Sequence, residues 1–273
     1  MKKALKILTV ALLLAATVVP AQAQRRVVHY LPKYDQEPYH FGFLLALNDM
    51  MYTIKTVEDY QNIPYPSTSE IDRYILGDYN SVENIYVYSV ETKKEPGFTV
   101  GIIGSKRLGR YFDLRFIPSL SFGCRYLYYS IKLDYKEEYH ETYGESEMIS
   151  LGTKSQGINT VFVEFPLNIK YRSKRYNNIG AYLMAGVNPK IDLGSRKKKN
   201  IESGLVTKRF DLASDIGVGF DFYNQWFKMG IEIKMSYGML DIIEHTSSQN
   251  APLFTSPIDK LSNKMFQISM LFE

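Results

Sequence analysis

Long segments of this sequence alternate apolar and polar residues with a period of two, which is the pattern of a β-strand with two different faces. The clearest segment runs from Phe112 to Tyr128. Its even positions are mainly apolar or aromatic, whereas its odd positions include Asp113, Arg115 and Arg125. Because successive side chains of a strand point to opposite faces, the pattern predicts a sheet with apolar surroundings on one side and polar surroundings on the other.

The alternation recurs along the chain and gives eight predicted strands. They cover residues 40–54, 98–106, 112–128, 160–172, 179–190, 210–222, 227–237 and 266–273. The connections are alternately short and long, and the long ones cover residues 55–95, 131–155, 194–207 and 240–261. Part of the first long connection, around residues 84–90, is expected to extend the barrel above the membrane. Outer-membrane barrels place short turns in the periplasm and long loops outside. We therefore predict an all-β fold, an eight-stranded antiparallel transmembrane β-barrel with short periplasmic turns and long extracellular loops.

A soluble eight-stranded barrel is the alternative, and it would turn its apolar face inward. The predicted strands are longer than those of most soluble proteins, and their apolar faces are rich in Phe, Leu, Ile and Val. Turning an Arg or Lys toward the bilayer midplane costs roughly 2–4 kcal/mol. The pattern therefore favours lipid outside. Pro118 and Pro166 lie within predicted strands, where each removes a ladder donor; a bulge is one way to accommodate them, and the sequence does not decide how they are accommodated.

The N-terminus has the layout of a secretory signal peptide, which predicts export. Lys2, Lys3 and Lys6 precede the apolar run Ile7–Val19, and Ala21-Gln22-Ala23 ends it. That run is too short for a transmembrane helix, which needs about 20 residues. We predict a signal peptide at 1–23, a periplasmic tail at 24–39 and a barrel at 40–273 in the cell outer membrane.

The polar strand faces carry charges of both signs, which we expect to point inward and pair. An eight-stranded barrel is just wide enough inside for side chains to fill, so no open pore is predicted. The predicted lumen network comprises Asp113, Arg115, Arg125, Glu164, Lys170, Arg172, Asp211, Asp215, Glu232 and Lys234. Aromatic residues near the short turns predict an interfacial girdle. They are Tyr111, Tyr171, Tyr176, Tyr223 and Trp226.

Binding sites for other molecules are weakly indicated. The run Arg196, Lys197, Lys198 and Lys199 is a candidate contact for lipopolysaccharide phosphates, although such runs are more often solvated hairpin tips. The acidic loop around residues 134–147 lacks the fixed spacing of a metal site. The net charge of +4 is small and locally mixed, which argues against a nucleic-acid partner. No metal or other cofactor is predicted.

The first predicted strand carries a motif-like stretch, Tyr34-Asp35-Gln36-Glu37-Pro38-Tyr39-His40-Phe41-Gly42-Phe43, followed by an apolar run. It resembles the start of the PorT-like family of Bacteroidetes. That resemblance implies an integral outer-membrane protein required for type IX secretion, which exports proteases and in gliding species is linked to motility. The family supplies no catalytic residues. The implied role is structural or assembly work through contacts with other secretion-system proteins, and the predicted contact surfaces are the first long loop and the periplasmic tail.

Two other functions stay open at this stage. His245 and Ser247, beside Glu244, are similar to the His-x-Ser and carboxylate set of outer-membrane lipid A deacylases, in which Ser attacks an ester and His acts as the base. This predicts a lipid A-modifying hydrolase, although the stretch also fits an ordinary polar loop tip. The other alternative is a passive barrel that resembles OmpA or OmpX.

Overall fold

The computed structural model describes residues 28–66, 82–152, 158–194, 207–244 and 252–273. Within those ranges the chain forms twelve β-strands, and every pairing between them is antiparallel. The strands are β1 Tyr39–Thr56, β2 Tyr65–Pro66, β3 Val82–Arg107, β4 Phe112–Phe116, β5 Ser119–Tyr135, β6 Ser146–Gly152, β7 Ile158–Glu164, β8 Leu167–Arg172, β9 Ile179–Asp192, β10 Phe210–Tyr223, β11 Lys228–Gly238 and β12 Ile258–Phe272.

Only short helices accompany the strands in these ranges. They are the 3-10 turns η1 Tyr34–Gln36, η2 Tyr60–Asn62 and η3 Glu137–Tyr139, and the helices α1 His140–Tyr143 and α2 Pro252–Thr255. None of the helices in the described part of the chain is long and apolar enough to cross a membrane.

The strands close into a ring of eight, which confirms the predicted all-β barrel. Strands β4 and β5 together make one wall strand, and β7 and β8 make another. The order around the ring is β1, β3, β4 with β5, β7 with β8, β9, β10, β11 and β12. The last strand returns to the first, with Phe43 opposite Phe272 and Ile54 opposite Leu261. A closed ring leaves no wall edge unpaired, as a membrane requires.

Pro118 and Pro166 stand at the two places where a wall strand is interrupted. Their carbonyl oxygens still accept hydrogen bonds from neighbouring strands, Pro118 from the Ile102 N–H at 3.0 Å and Pro166 from the Ile117 N–H at 3.2 Å. Side chains keep alternating across each interruption, with Phe116 exposed and Ile117 buried. Each proline therefore removes one N–H donor from the hydrogen-bond ladder but does not change which face of the wall the following side chains point to.

The outer surface of the wall is apolar and the inner surface is largely polar. On β1, Phe43, Leu45 and Leu47 are exposed, whereas the intervening Leu44, Ala46 and Asn48 are buried. Every wall strand contributes exposed apolar residues, among them Ile102, Phe112, Ile169, Leu183, Ile216, Ile233 and Ile268. An exposed apolar surface that continues around a molecule marks contact with lipid.

Strands β3 and β5 extend far beyond the rest of the wall at the long-loop end. The sequence predicted a strand at 98–106, but β3 begins at Val82, and β5 continues to Tyr135 before β6 returns beside it. The predicted loops 55–95 and 131–155 are therefore partly strand. The opposite end carries the short turns 108–111, 173–178 and 224–227 and is the periplasmic end.

Candidate functional site

A buried ion pair crosses the lumen of the barrel. Arg115 on β4 donates from Nη1 to Glu232 Oε2 on β11 at 2.8 Å. The Tyr182 hydroxyl donates to the same carboxylate oxygen at 2.8 Å. Because β4 and β11 are not neighbours in the ring, this pair joins distant parts of the wall.

A second group of polar residues is centred on two carboxylates. Glu164 accepts hydrogen bonds from Ser121 Oγ at 2.5 Å and Asn188 Nδ2 at 2.7 Å. Asp215 accepts one from Ser236 Oγ at 2.6 Å. Two lysines supply the positive charge, since Lys190 Nζ lies 3.6 Å from Glu164 and Lys234 Nζ lies 3.4 Å from Asp215. Buried carboxylates keep their charge only with such partners.

Arg125 forms the layer nearest the extracellular end. Its guanidinium lies 2.8 Å from Asp192 and also donates to Thr160 and Asn263. It lies over the rings of Tyr52 and Phe162, with centroids at 4.6 and 4.9 Å. Phe162 packs with Met50 and Met265 in a small apolar cluster. Polar and apolar side chains together thus fill the lumen at this level.

The N-terminal segment, residues 28–38, crosses the periplasmic mouth. The Tyr34 hydroxyl donates to Glu273 Oε2 at 3.0 Å, and its ring stacks on His40 at 4.0 Å between centroids. Burial, reinforced by the adjacent Glu273 carboxylate, raises the pKa of the Tyr34 phenol. Asp35 accepts hydrogen bonds from Arg172 Nη1 at 2.8 Å and from the Tyr223 hydroxyl at 2.9 Å. The predicted periplasmic tail is therefore docked into the barrel end over these residues.

The extracellular mouth is covered by an apolar core, which we call the lid. The Tyr129 hydroxyl donates to the Phe254 carbonyl oxygen at 2.9 Å, which ties α2 to β5. The lid comprises Tyr52, Tyr65, Val82, Ile85, Val87, Leu127, Tyr129, Ile131, Leu133, Tyr135, Ile242, Ile243, Leu253, Phe254, Ile258 and Leu261. Tyr65, Ile85 and Val87 come from the first long loop, and their side chains are buried in the lid. The contact surface expected in this loop therefore does not include these three residues, and for the rest of the loop it stays a prediction.

The structure places nine of the ten predicted lumen residues in the buried interior, and Arg172 is partly buried at the periplasmic mouth. Asp211 accepts a hydrogen bond from Asn263 Nδ2 at 2.8 Å, and Asp113 lies 3.4 Å from Arg172 Nε. Lys170 Nζ pairs with Asp221 at 2.7 Å.

Other members of the network were not among the predicted ten. They are Asp35, Lys190, Asp192, Asp221, Lys228 and Glu273. Five of these six, Lys190, Asp192, Asp221, Lys228 and Glu273, continue the polar alternation of the predicted lumen residues, so the phase of the strands could have identified them. Asp35 precedes the barrel and carries no such signal.

The predicted girdle residues do not all face outward. Tyr171, Tyr176 and Trp226 are exposed, and Tyr111 is partly exposed. Tyr223 is 5% exposed and points into the periplasmic mouth, where Arg175 lies 3.7 Å above its ring. Its assignment to the membrane interface is therefore corrected. Odd positions of β10, such as Asp221 and Tyr223, face inward, and strand phase outweighs the aromatic preference for the interface.

Several predicted features lie outside the described residues. These are the signal peptide at 1–23, the cationic run Arg196, Lys197, Lys198 and Lys199, and the pair His245 and Ser247. Within the described ranges, no group of three or more His, Cys, Asp or Glu side chains is arranged to hold a metal ion.

A closed antiparallel ring with an apolar outer belt and a polar interior defines an outer-membrane β-barrel protein. Residues 36–244 match a family model described as an outer membrane protein beta-barrel domain. The chain belongs to this family and is located in the outer membrane.

Two solved structures of outer-membrane proteins are similar at low sequence identity. The outer membrane protein OprG from Pseudomonas aeruginosa is 12% identical with a TM-score of 0.34, and the match covers 85% of this chain and 94% of that one. The outer membrane protein AlkL, determined in DMPC bilayers, is 11% identical with a TM-score of 0.28, and the match covers 86% and 91%. No curated protein matches this sequence significantly.

Proposed function

We propose that this protein is a non-enzymatic structural or assembly component of the type IX secretion system, and that it acts through contacts with other proteins. The observation that carries the proposal is the filled lumen, crossed by the Arg115–Glu232 pair and covered at both ends. A barrel with no interior path has to work through its surfaces. The type IX secretion system is proposed because residues 34–43 resemble the start of the PorT-like family.

The filled lumen equally supports the second candidate, a passive barrel that resembles OmpA or OmpX. The third candidate, a lipid A-modifying hydrolase, depends on His245 and Ser247. The three candidates differ in what a deletion strain loses. Loss of secreted proteases, and of gliding in motile species, favours the secretion component. Altered lipid A acylation favours the hydrolase. Unchanged secretion together with unchanged lipid A favours the passive barrel.

The decisive experiment separates secretion from barrel assembly in that strain. A variant lacking Gln24–Lys33 should assemble a heat-modifiable barrel but secrete poorly. The barrel is held by its closed ladder, whereas residues 28–33 are attached mainly by exposed hydrogen bonds such as Tyr30 N–H to Asn178 Oδ1 at 3.0 Å. The second deletion variant shortens the first loop. Its deletion should be confined to residues 67–81, because Tyr65 belongs to the lid and Tyr60 packs against it.

The matched controls are His245→Ala and Ser247→Ala, which should leave secretion unchanged. Normal secretion by both deletion variants would contradict the proposal and favour the passive barrel. A point variant that alters lipid A acylation at normal barrel levels would favour the hydrolase.

A further inference from the structure

A cleft of about 180 Å³ opens at the periplasmic mouth between η1 and two short turns. Arg107 and Arg110 line it from the turn between β3 and β4. Arg172, Lys174 and Arg175 line it from the end of β8 and the following turn. The cleft is therefore built by three chain segments that the barrel wall holds in place, and five cations surround it.

The two carboxylates in the cleft leave part of this positive charge unpaired. Asp221 is already paired with Lys170 at 2.7 Å and lies 3.9 Å from Lys228. Asp35 is held by Arg172 at 2.8 Å. Over the described ranges, no carboxylate lies within ion-pair distance of Arg107, Arg110 or Lys174. An uncompensated group of cations around a concave site attracts an anion.

The cleft also binds peptide backbone, as its contacts with the N-terminal segment demonstrate. Arg107 Nη1 donates to the Gln36 carbonyl oxygen at 3.1 Å, and Arg175 Nη1 donates to that of Leu31 at 3.3 Å. Asp35 stands between Leu31 and Gln36 in the chain, and its carboxylate accepts a hydrogen bond from Arg172 in the same cleft. Arg forks suit carboxylates and carbonyl oxygens because their N–H groups diverge in one plane.

We propose that this periplasmic cleft binds an acidic peptide segment of a partner protein, and that Asp35 occupies part of the site as an internal substitute. The inference rests on the proposed function for the presence of a protein partner. A side-chain carboxylate already fills one position, and backbone carbonyl oxygens fill others. The lining includes buried, inward-facing residues such as Tyr223 and Asp221, so the cleft reaches into the barrel mouth. Recognition of acidic segments by Arg clusters is a recurring mode of peptide binding.

The test measures binding of a fluorescent, end-capped peptide of six aspartates by anisotropy. The protein is used in full mature form in nanodiscs of zwitterionic lipid, and a peptide of six asparagines is the reference. We expect the aspartate peptide to bind at least about tenfold more tightly, with an affinity that falls as salt rises. Equal binding of the two peptides would overturn the proposal.

Paired variants locate the site. Arg110→Glu with Lys174→Glu should weaken binding of the aspartate peptide about tenfold or more, since repulsion replaces attraction. Lys93→Glu with Lys94→Glu makes the same change of charge at the exposed outer part of β3 and should bind as the unmodified protein does. Wild-type affinity in the Arg110/Lys174 variant would overturn the proposal.

Asp35→Asn tests the internal substitute, because it releases Arg172 for the incoming peptide. We expect tighter binding, by about threefold or more, and unchanged binding would contradict the role given to Asp35.

Nanodiscs with phosphatidylglycerol test a lipid headgroup as the occupant. The outcome that favours a headgroup has two parts. The unmodified protein binds the aspartate and asparagine peptides equally, and the Arg110/Lys174 variant no longer enriches phosphatidylglycerol around itself. In that case the cleft is a headgroup site and the proposal fails.

These outcomes are separate from the secretion experiment. A strain that carries the Arg110/Lys174 variant, has lost peptide binding in vitro and still secretes normally would contradict a role of the cleft in secretion, whereas the proposed function is decided by the deletion variants. Secretion that fails while the purified variant still binds the peptide as the unmodified protein does would contradict the cleft alone.

Discussion

Arg115 and Glu232 form a buried ion pair between strands that are not neighbours in the ring, at 2.8 Å between Nη1 and Oε2. Both side chains are 1% exposed. A long guanidinium side chain and a carboxylate that meet inside an eight-stranded wall leave little room for a path between them. The pair is therefore a structural tie across the barrel, and we expect it to obstruct conduction.

Removal of one partner of this pair should destabilise the barrel strongly. Arg115→Ala leaves the Glu232 carboxylate buried beside the Tyr182 hydroxyl without its cation, which typically costs about 3–5 kcal/mol. The free energy of unfolding, measured by urea titration in lipid vesicles, should fall by that order. Lys55→Ala is the control, because its pair with Asp259 is highly exposed, and we expect no measurable change. Equal midpoints for the two variants would contradict the structural role of Arg115.

The seam between the first and last strands depends on a glycine. A Cβ on Gly42 would overlap the carbonyl oxygen of Phe272 on β12, whereas a Cβ on Gly104 would make an ordinary contact with Phe116 O at 3.6 Å. Gly42→Ala should therefore lower the fraction of heat-modifiable barrel on gels, and Gly104→Ala should not. Equal assembly of the two variants would show that the seam tolerates a side chain at this position.

Much of the fold was predictable because lipid on one side and polar contacts on the other impose a period of two. The eight wall strands and the inward positions of Arg115 and Glu232 follow from that period. It does not reveal Pro118 and Pro166 as interruptions, since the phase of the side chains is unchanged across them. The extension of the barrel around residues 84–90 was expected, and β3 confirms it. The sequence did not predict that β3 runs without a break from Val82 to Arg107, because residues 82–94 pack against the lid and β5 and their pattern is no longer set by lipid.

The periplasmic mouth was less predictable for a different reason. Asp35 lies in a segment without strand periodicity, and its partners Arg172 and Tyr223 come from distant strands. Pairing of β8 and β10 with the intervening β9 brings Arg172 and Tyr223 close to each other, and Asp35 joins them only when the segment before β1 folds across the mouth. The inward position of Tyr223 could have been read from the phase of Asp221 on the same strand.

The lid should loosen without loss of the barrel when its packing is reduced. Ile85 is fully buried in the lid, so Ile85→Ala should cost about 2–5 kcal/mol of local stability. Hydrogen exchange of amides in the outer parts of β3 and β5 should accelerate, while heat-modifiability of the barrel stays normal. Tyr88→Ala on the same strand is the control, because Tyr88 is 55% exposed. Equal exchange in both variants would contradict a packed lid.

The central claim is that the lumen is filled and both mouths are covered. Conductance of the purified full mature protein in planar lipid bilayers tests this claim most directly, with a known porin inserted under the same conditions as the positive control. The ion-paired layers from Lys170 to Arg125 and the overlying lid predict no steady current above the bare membrane. Large, steady, ohmic currents that scale with the number of inserted molecules would contradict it.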